Sequence, residues 1–252
     1  MIKRFSRRMT GTIRSDASNR ELGYLLAFIA GAVNAGGFLA VQKYTSHMTG
    51  IVSSMADFIA LGQFQFALVG FASLVFFVAG AAMTAILVNY ARRHKRTSEY
   101  AAPLLVESAL LMAFGLLGAW SLQTDGTVII STVLLLSFIM GLQNAVITKV
   151  SGAVIRTTHV TGIVTDIGIE LGKLIYKNVD QSADITRVVA NRDRLKMLTI
   201  LLGLFFTGGV AGAVGFKTAG YIATVPLALF LVLAAIVPVI DDIAAASQNR
   251  KK

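Results

Sequence analysis

The chain contains no cysteine. That excludes a disulfide framework, thiolate catalysis and any metal site built on sulfur. Histidine is scarce. The three residues His47, His94 and His159 show no His-x-x-x-His spacing, which would set two imidazoles on one helical face, so neither a metal centre nor a cofactor is expected. Charge is scarce too: 14% of the 252 residues are Asp, Glu, Lys or Arg, against about 25% in a soluble domain. There is no Ser-His-Asp order, phosphate-binding glycine loop or dinucleotide fingerprint. The doublet Gly36-Gly37 lies inside an apolar run with nothing of such a pattern around it. An enzyme is therefore not expected.

What fills the chain is apolar sequence, 55% of it hydrophobic, with a mean hydropathy of +0.71. Six long apolar segments run over about 22–41, 66–90, 103–120, 127–148, 197–216 and 219–240. Their lengths approach the roughly 20 residues that cross a bilayer. Two shorter ones cover about 48–62 and 160–175. At 1.5 Å per residue they reach about 23 Å, marginal for a hydrocarbon core of about 30 Å. The expected fold is an all-α polytopic membrane protein with six long transmembrane helices and two short re-entrant or half helices. Residues 1–21 read as a basic, mobile cytosolic tail, 22–240 as one membrane domain and 241–252 as a second cytosolic tail.

The net charge of +10 would suit nucleic acid, but its distribution points to topology instead. Cytosolic loops of membrane proteins collect Lys and Arg. With the N-terminus inside and only the six long segments crossing, 21 of the 23 basic residues fall inside, and only Lys43 and Lys217 fall outside. Letting the short segments cross as well would give 15 inside and 8 outside. The six-span arrangement puts both termini in the cytosol of a bacterial inner membrane. Tyr24, Tyr44, Tyr90, Tyr100, Trp120, Tyr176 and Tyr221 all lie near segment ends, where amphipathic rings favour the interface. The polar stretch 176–196 is expected to touch anionic headgroups.

One short phrase occurs twice. "TSHMTGIV" begins at Thr45 and "TTHVTGIV" at Thr157, and their histidines stand 112 residues apart. Upstream of each is Gly-x-x-Asn-Ala, at Gly31–Ala35 and Gly141–Ala145. Each half (22–120 and 127–240) is a long span, a short motif segment and two long spans. Three crossings per half turn the second half over, which gives an inverted 3+3 repeat whose motifs approach from opposite faces, the arrangement of many transporters and channels.

On these motifs the chain resembles the YoaK family of bacterial inner-membrane proteins, over about residues 22–240. Met48-Thr49-Gly50, Gly141-Leu-Gln143-Asn144-Ala145 and Thr161-Gly162 match its pattern, while Ile51 stands where the family usually has Asn. The resemblance implies an integral membrane protein and names no substrate.

Candidate site residues follow from the motifs. Thr49-Gly50 and Thr161-Gly162 read as N-caps with close packing. The alternative reading is two opposed helix N-termini whose free amides hold an anion or polar solute. His47 and His159 are either backbone-bonded interfacial residues or proton-linked gates. Arg156 would strengthen the positive potential. Asn34, Gln143 and Asn144 are helix glue or solute contacts. Asp57, Asp166 and Glu170 are carboxylates in apolar segments, where charge is expensive; Glu170 can pair with Lys173 at i,i+3, and the Asp166–Glu170–Lys173 face reads as solvated or coupling. Glu107, one turn into its span, is expected to snorkel or to act. Gly208, Gly209, Gly212 and Gly215 read as a small-residue helix interface, and Pro226 and Pro238 as breaks in the last span.

Two functions stay open. One is a small-solute transporter or channel for an anion or polar metabolite. The other is a non-transport membrane assembly or partner-binding protein. The expected partners are the lipid bilayer, an unknown small solute and a second copy of the chain, with no nucleic acid.

Overall fold

The computed structural model describes residues 2–12, 14–120, 126–178 and 187–249, and all regular structure among them is helical. The elements are α1 (Ile2–Thr10), α2 (Asp16–Val41), α3 (Met48–Ala60), α4 (Phe64–Arg93), α5 (Ala101–Trp120), α6 (Gly126–Val150), α7 (Val160–Ile175), α8 (Arg192–Ala219) and α9 (Thr224–Asn249). A 3-10 turn, Gly220–Ala223, joins the last two. The helices bearing the motif are short, 13 residues for α3 and 16 for α7. Among the described residues, four stretches are long and apolar enough to cross a membrane by length and composition: 16–41, 64–93, 126–150 and the run 192–248 that carries both α8 and α9. The chain is thus a helical protein built for a bilayer, since helices satisfy every backbone polar group within one segment.

Packing follows a cross-over rule. The first long helix of each half lies along the third helix of the other: α2 on α8, and α6 on α4. Glycine makes this possible. A Cβ on Gly31 would overlap the carbonyl oxygen of Phe205, and one on Gly208 would overlap that of Phe28. In the other pair, a Cβ on Gly141 would overlap Phe77 O, and one on Gly80 would overlap Phe138 O. The register is the same in both pairs, with Gly31 matching Gly141, Phe28 matching Phe138 and Gly208 matching Gly80. Without a hydrophobic driving force between helices in lipid, such backbone approach supplies dispersion contact that larger side chains would prevent. The expected small-residue interface of α8 is present: Gly208 and Gly212 lie on the backbone of α2 at Phe28 and Ala32. Where Gly212 meets Ala32 O, the matching contact in the other pair is a hydroxyl bond from Thr84 Oγ1 to Leu142 O, 2.9 Å.

The remaining long helices pair as α5 with α9, and α2 also meets α6. Two hydroxyls tie α5 to α9 reciprocally. Ser108 donates to Ala228 O at 2.8 Å, and Thr224 donates to Leu111 O at 3.1 Å.

The N-terminal stretch is not the mobile tail expected from its charge. It forms α1, which lies against α9, and α2 begins already at Asp16. The cause is Pro238. Proline has no N–H to donate, so the carbonyl four residues earlier, Ala234, is left free inside the helix. Ser6 Oγ (3.1 Å) and Thr10 Oγ1 (2.9 Å) both donate to it, and Ser6 Oγ also accepts the Val237 N–H. Arg7 seals the contact with a two-bond pair to Asp241 at 2.8 and 2.9 Å. The expected C-terminal tail is likewise helical as far as Asn249.

Two further expectations need a note. Tyr44, Tyr90 and Tyr176 are exposed at helix ends, whereas Tyr100 is buried and accepts from Arg92 at 2.7 Å. The side chain of Trp120 and residues 179–186 of the polar loop lie outside the described residues.

Gly208→Ala should destabilise the protein by roughly 1–3 kcal/mol, since the backbone of α2 must shift to admit the methyl. Gly203→Ala, on the same helix but with open space at its Cα, should be neutral. Thermal-shift chromatography in detergent compares them, and equal effects would refute the close-approach account.

Candidate functional site

The chain breaks after α2 and after α6, and each break leads into a motif helix. The two breaks are built alike. Asn34 on α2 accepts from Ser46 Oγ at 2.8 Å, and Asn144 on α6 accepts from Thr158 Oγ1 at 2.7 Å. These bonds tie each break to the helix that precedes it. Gln143 adds a tie between helices, Nε2 to Leu26 O at 3.3 Å.

Next to those bonds, three buried polar atoms have no protein partner: Thr45 Oγ1, Thr157 Oγ1 and Gln143 Oε1. Thr45 and Thr157 occupy the same place in the two motifs and are almost fully inaccessible, 1% and 0% exposed. A bare buried hydroxyl costs about 1–3 kcal/mol, so its repetition at matched positions calls for a ligand or water as partner. Sequence reasoning passed over Thr45, Ser46, Thr157 and Thr158, although they are the first letters of the repeated phrase and were open to the same repeat argument.

The threonines singled out earlier play another part. Thr49 and Thr161 are not caps. The N-cap positions belong to His47 and His159, without a side-chain cap bond, and both threonines sit in the first turn with exposed side chains. The motif glycines have a steric reason: a Cβ at Gly50 would overlap the His47 ring, and one at Gly162 the His159 ring. Each histidine therefore folds back over the first turn of its own helix. Nor do the short helices lie on one another. α3 packs on α4, and α7 on α8.

That joint differs between the halves. In the first half it is apolar: Phe58 and Phe66 meet at 5.3 Å between ring centroids. By the register of the repeat, these positions correspond to Glu170 and Arg194. There the joint is ionic. Arg194 Nη2 binds Asp166 Oδ2 at 2.9 Å. Glu170 is buried, takes Lys173 Nζ at 2.9 Å as its spacing suggested, and accepts the Asn191 N–H at 2.7 Å. The trio is thus paired into a joint, with Glu170 enclosed and the Asp166 and Lys173 side chains partly exposed. The Lys173 ammonium and the Asn191 amide hold the Glu170 carboxyl below its ordinary value of 4.5. Asp57 and Arg156 are exposed and join neither arrangement.

Two clefts flank these joints. One, about 270 Å³, opens between α3, α4 and the end of α2, lined by Phe38, Lys43, Tyr44, His47, Ser54 and Met55 among others. The other, about 350 Å³, lies beside the ionic joint among Asp16, Asn19, Arg20, Asn191, Asp193 and Arg194. Among the described residues no group of His, Asp and Glu could hold a metal ion.

A family model described as "Protein of unknown function (DUF1275)" matches residues 22–237, and the chain belongs to that family. YoaK is a member of it. No curated protein and no solved structure matches the chain.

Glu170→Gln should loosen α7 from α8, because a neutral amide replaces the carboxylate that takes Lys173 Nζ and the Asn191 N–H. The lowered carboxyl sets the sign with pH. Its contribution is complete above the ordinary glutamate range and is lost as pH falls through the folded value. Limited proteolysis at neutral pH reads this as faster cleavage within 176–191, while Asp57→Asn should leave the rate unchanged.

Proposed function

We propose that this member of the family is a six-span inner-membrane protein with both termini in the cytosol, built as an inverted 3+3 repeat, that moves a small anion or polar metabolite across the bilayer. The six spans are α2, α4, α5, α6, α8 and α9. The cross-over pairing in matched register supports the repeat, because exchanging the two halves maps α2–α8 onto α6–α4. The partition of Lys and Arg supports the orientation.

The observation that carries the transport reading is the pair of matched breaks, each with a buried hydroxyl that the protein leaves bare. Broken helices at membrane depth are tolerated where they face a cavity or a substrate. In this reading Thr45 and Thr157 contact the solute, aided by Gln143 Oε1 and by the free first-turn amides at Thr49, Gly50, Thr161 and Gly162. His47 and His159 stand beside those amides as gate or proton-linked groups, with Arg156 adding positive potential.

Topology is tested with single cysteines, for which the chain offers a blank background. A probe at Lys217 should react from outside the cell, and one at Lys95 only after permeabilisation. Early reaction at Lys95 would reverse the orientation.

Uptake into proteoliposomes, screened over small anions and polar metabolites, tests the activity. Thr45→Val and Thr157→Val keep the shape and remove the hydroxyl. Each should cut uptake by about tenfold, the worth of one hydrogen bond of about 1.4 kcal/mol. Unchanged uptake in both and in the double variant would leave the breaks as packing elements.

A further inference from the structure

Glu107 lies in the second turn of α5, and its side chain is fully inaccessible, yet neither carboxyl oxygen has a hydrogen-bond partner. The other buried carboxylates among the described residues are engaged: Glu99 with Arg92, and Glu170 with Lys173 and the Asn191 amide. The expected snorkelling of Glu107 to the interface does not occur.

Its neighbours offer nothing to pair with. Helix α5 packs against α9, α6, α4 and the turn Gly220–Ala223. On α9, Asp241 is taken by Arg7, and Asp242 by the amides and hydroxyls of Thr97 and Ser98. On α6, Lys149 reaches Asn89. On α4, Arg92 is spent on Glu99 and Tyr100, Tyr90 stacks on His94, and Arg93 sits on the last turn. Tyr221 of the turn packs its ring on Phe114 and Phe216. The hydroxyls that bridge this joint, Ser108 and Thr224, already donate to Ala228 O and Leu111 O.

Packing alone does not ask for a carboxyl here. A carboxylate at Glu107 would be an ion in hydrocarbon with no counter-charge and no donor, far costlier than the uncharged acid.

We propose that Glu107 is a proton-binding site of the α5–α9 joint: the packed arrangement holds the acid form, and the proton leaves only when α5 and α9 part and water reaches the carboxyl. The ligand is one proton, and the element it controls is the separation of this helix pair. The inference stands whether or not the protein moves a solute. If it does, Glu107 is the group through which a proton gradient acts.

The test uses the full chain in phosphatidylcholine–phosphatidylglycerol vesicles and dicyclohexylcarbodiimide, a lipophilic reagent that adds to protonated carboxyls in apolar surroundings. Peptide mapping should find one adduct, on Glu107, that disappears in Glu107→Gln. Missing modification of Glu107 at every pH would overturn the proposal. A second readout separates a proton site from a merely structural side chain. The wild type should lose melting temperature relative to Glu107→Gln as pH rises from about 5 to about 9, because a group held as the acid stabilises below its unfolded value and loses that contribution above it. A difference that stays flat over this range would also overturn it. Glu107→Asp, which keeps the carboxyl, should restore both signals if Glu107→Gln folds poorly.

Discussion

A glycine facing a carbonyl across a helix pair is the contact on which the rest of the fold hangs. At Gly31, Gly208, Gly80 and Gly141 the backbones come so close that one methyl group would strike an oxygen. In lipid, side-chain burial does not drive helices together, so close backbone contact must do it. Because each pair draws one helix from either half, the halves interlock and do not stand as two domains. The same interlock brings α2 and α6 side by side, and so places the two breaks that follow them.

A second constraint explains where polar side chains appear. Inside a bilayer an unsatisfied backbone group costs several kcal/mol, and this chain spends hydroxyls to prevent that. Pro238 frees the carbonyl of Ala234, and Ser6 and Thr10 cover it. Against such thorough satisfaction, the bare atoms of Thr45, Thr157, Gln143 and Glu107 stand out. Two of these residues, Thr45 and Thr157, lie in the matched breaks, Gln143 lies on α6 against α2, and Glu107 lies in the α5–α9 joint.

The two motif-helix joints differ in chemistry. Where Phe58 and Phe66 close one joint, Glu170, Asp166 and Arg194 close the other. An apolar joint suits a surface facing lipid, while an ionic one suits a surface that water reaches.

Much of this was legible in the sequence, and for a physical reason. Hydrophobic runs report which segments prefer helix in lipid, and a repeated phrase reports a repeated structure. Both are local properties, so the segment order, the two short helices and the Glu170–Lys173 pair could be read from spacing. The caps were misread because Thr49 and Thr161 are good capping residues in isolation, while the chain path puts His47 and His159 at those positions. The N-terminal helix was missed because its reason lies far along the chain, at Pro238. Only tertiary structure could decide that α2 pairs with α8 and α6 with α4. Likewise, it alone shows that the threonines opening each motif are buried without partners and that Glu107 is enclosed and unpaired. Burial and the lack of a partner are properties of everything that surrounds an atom, and a linear sequence does not state what surrounds it.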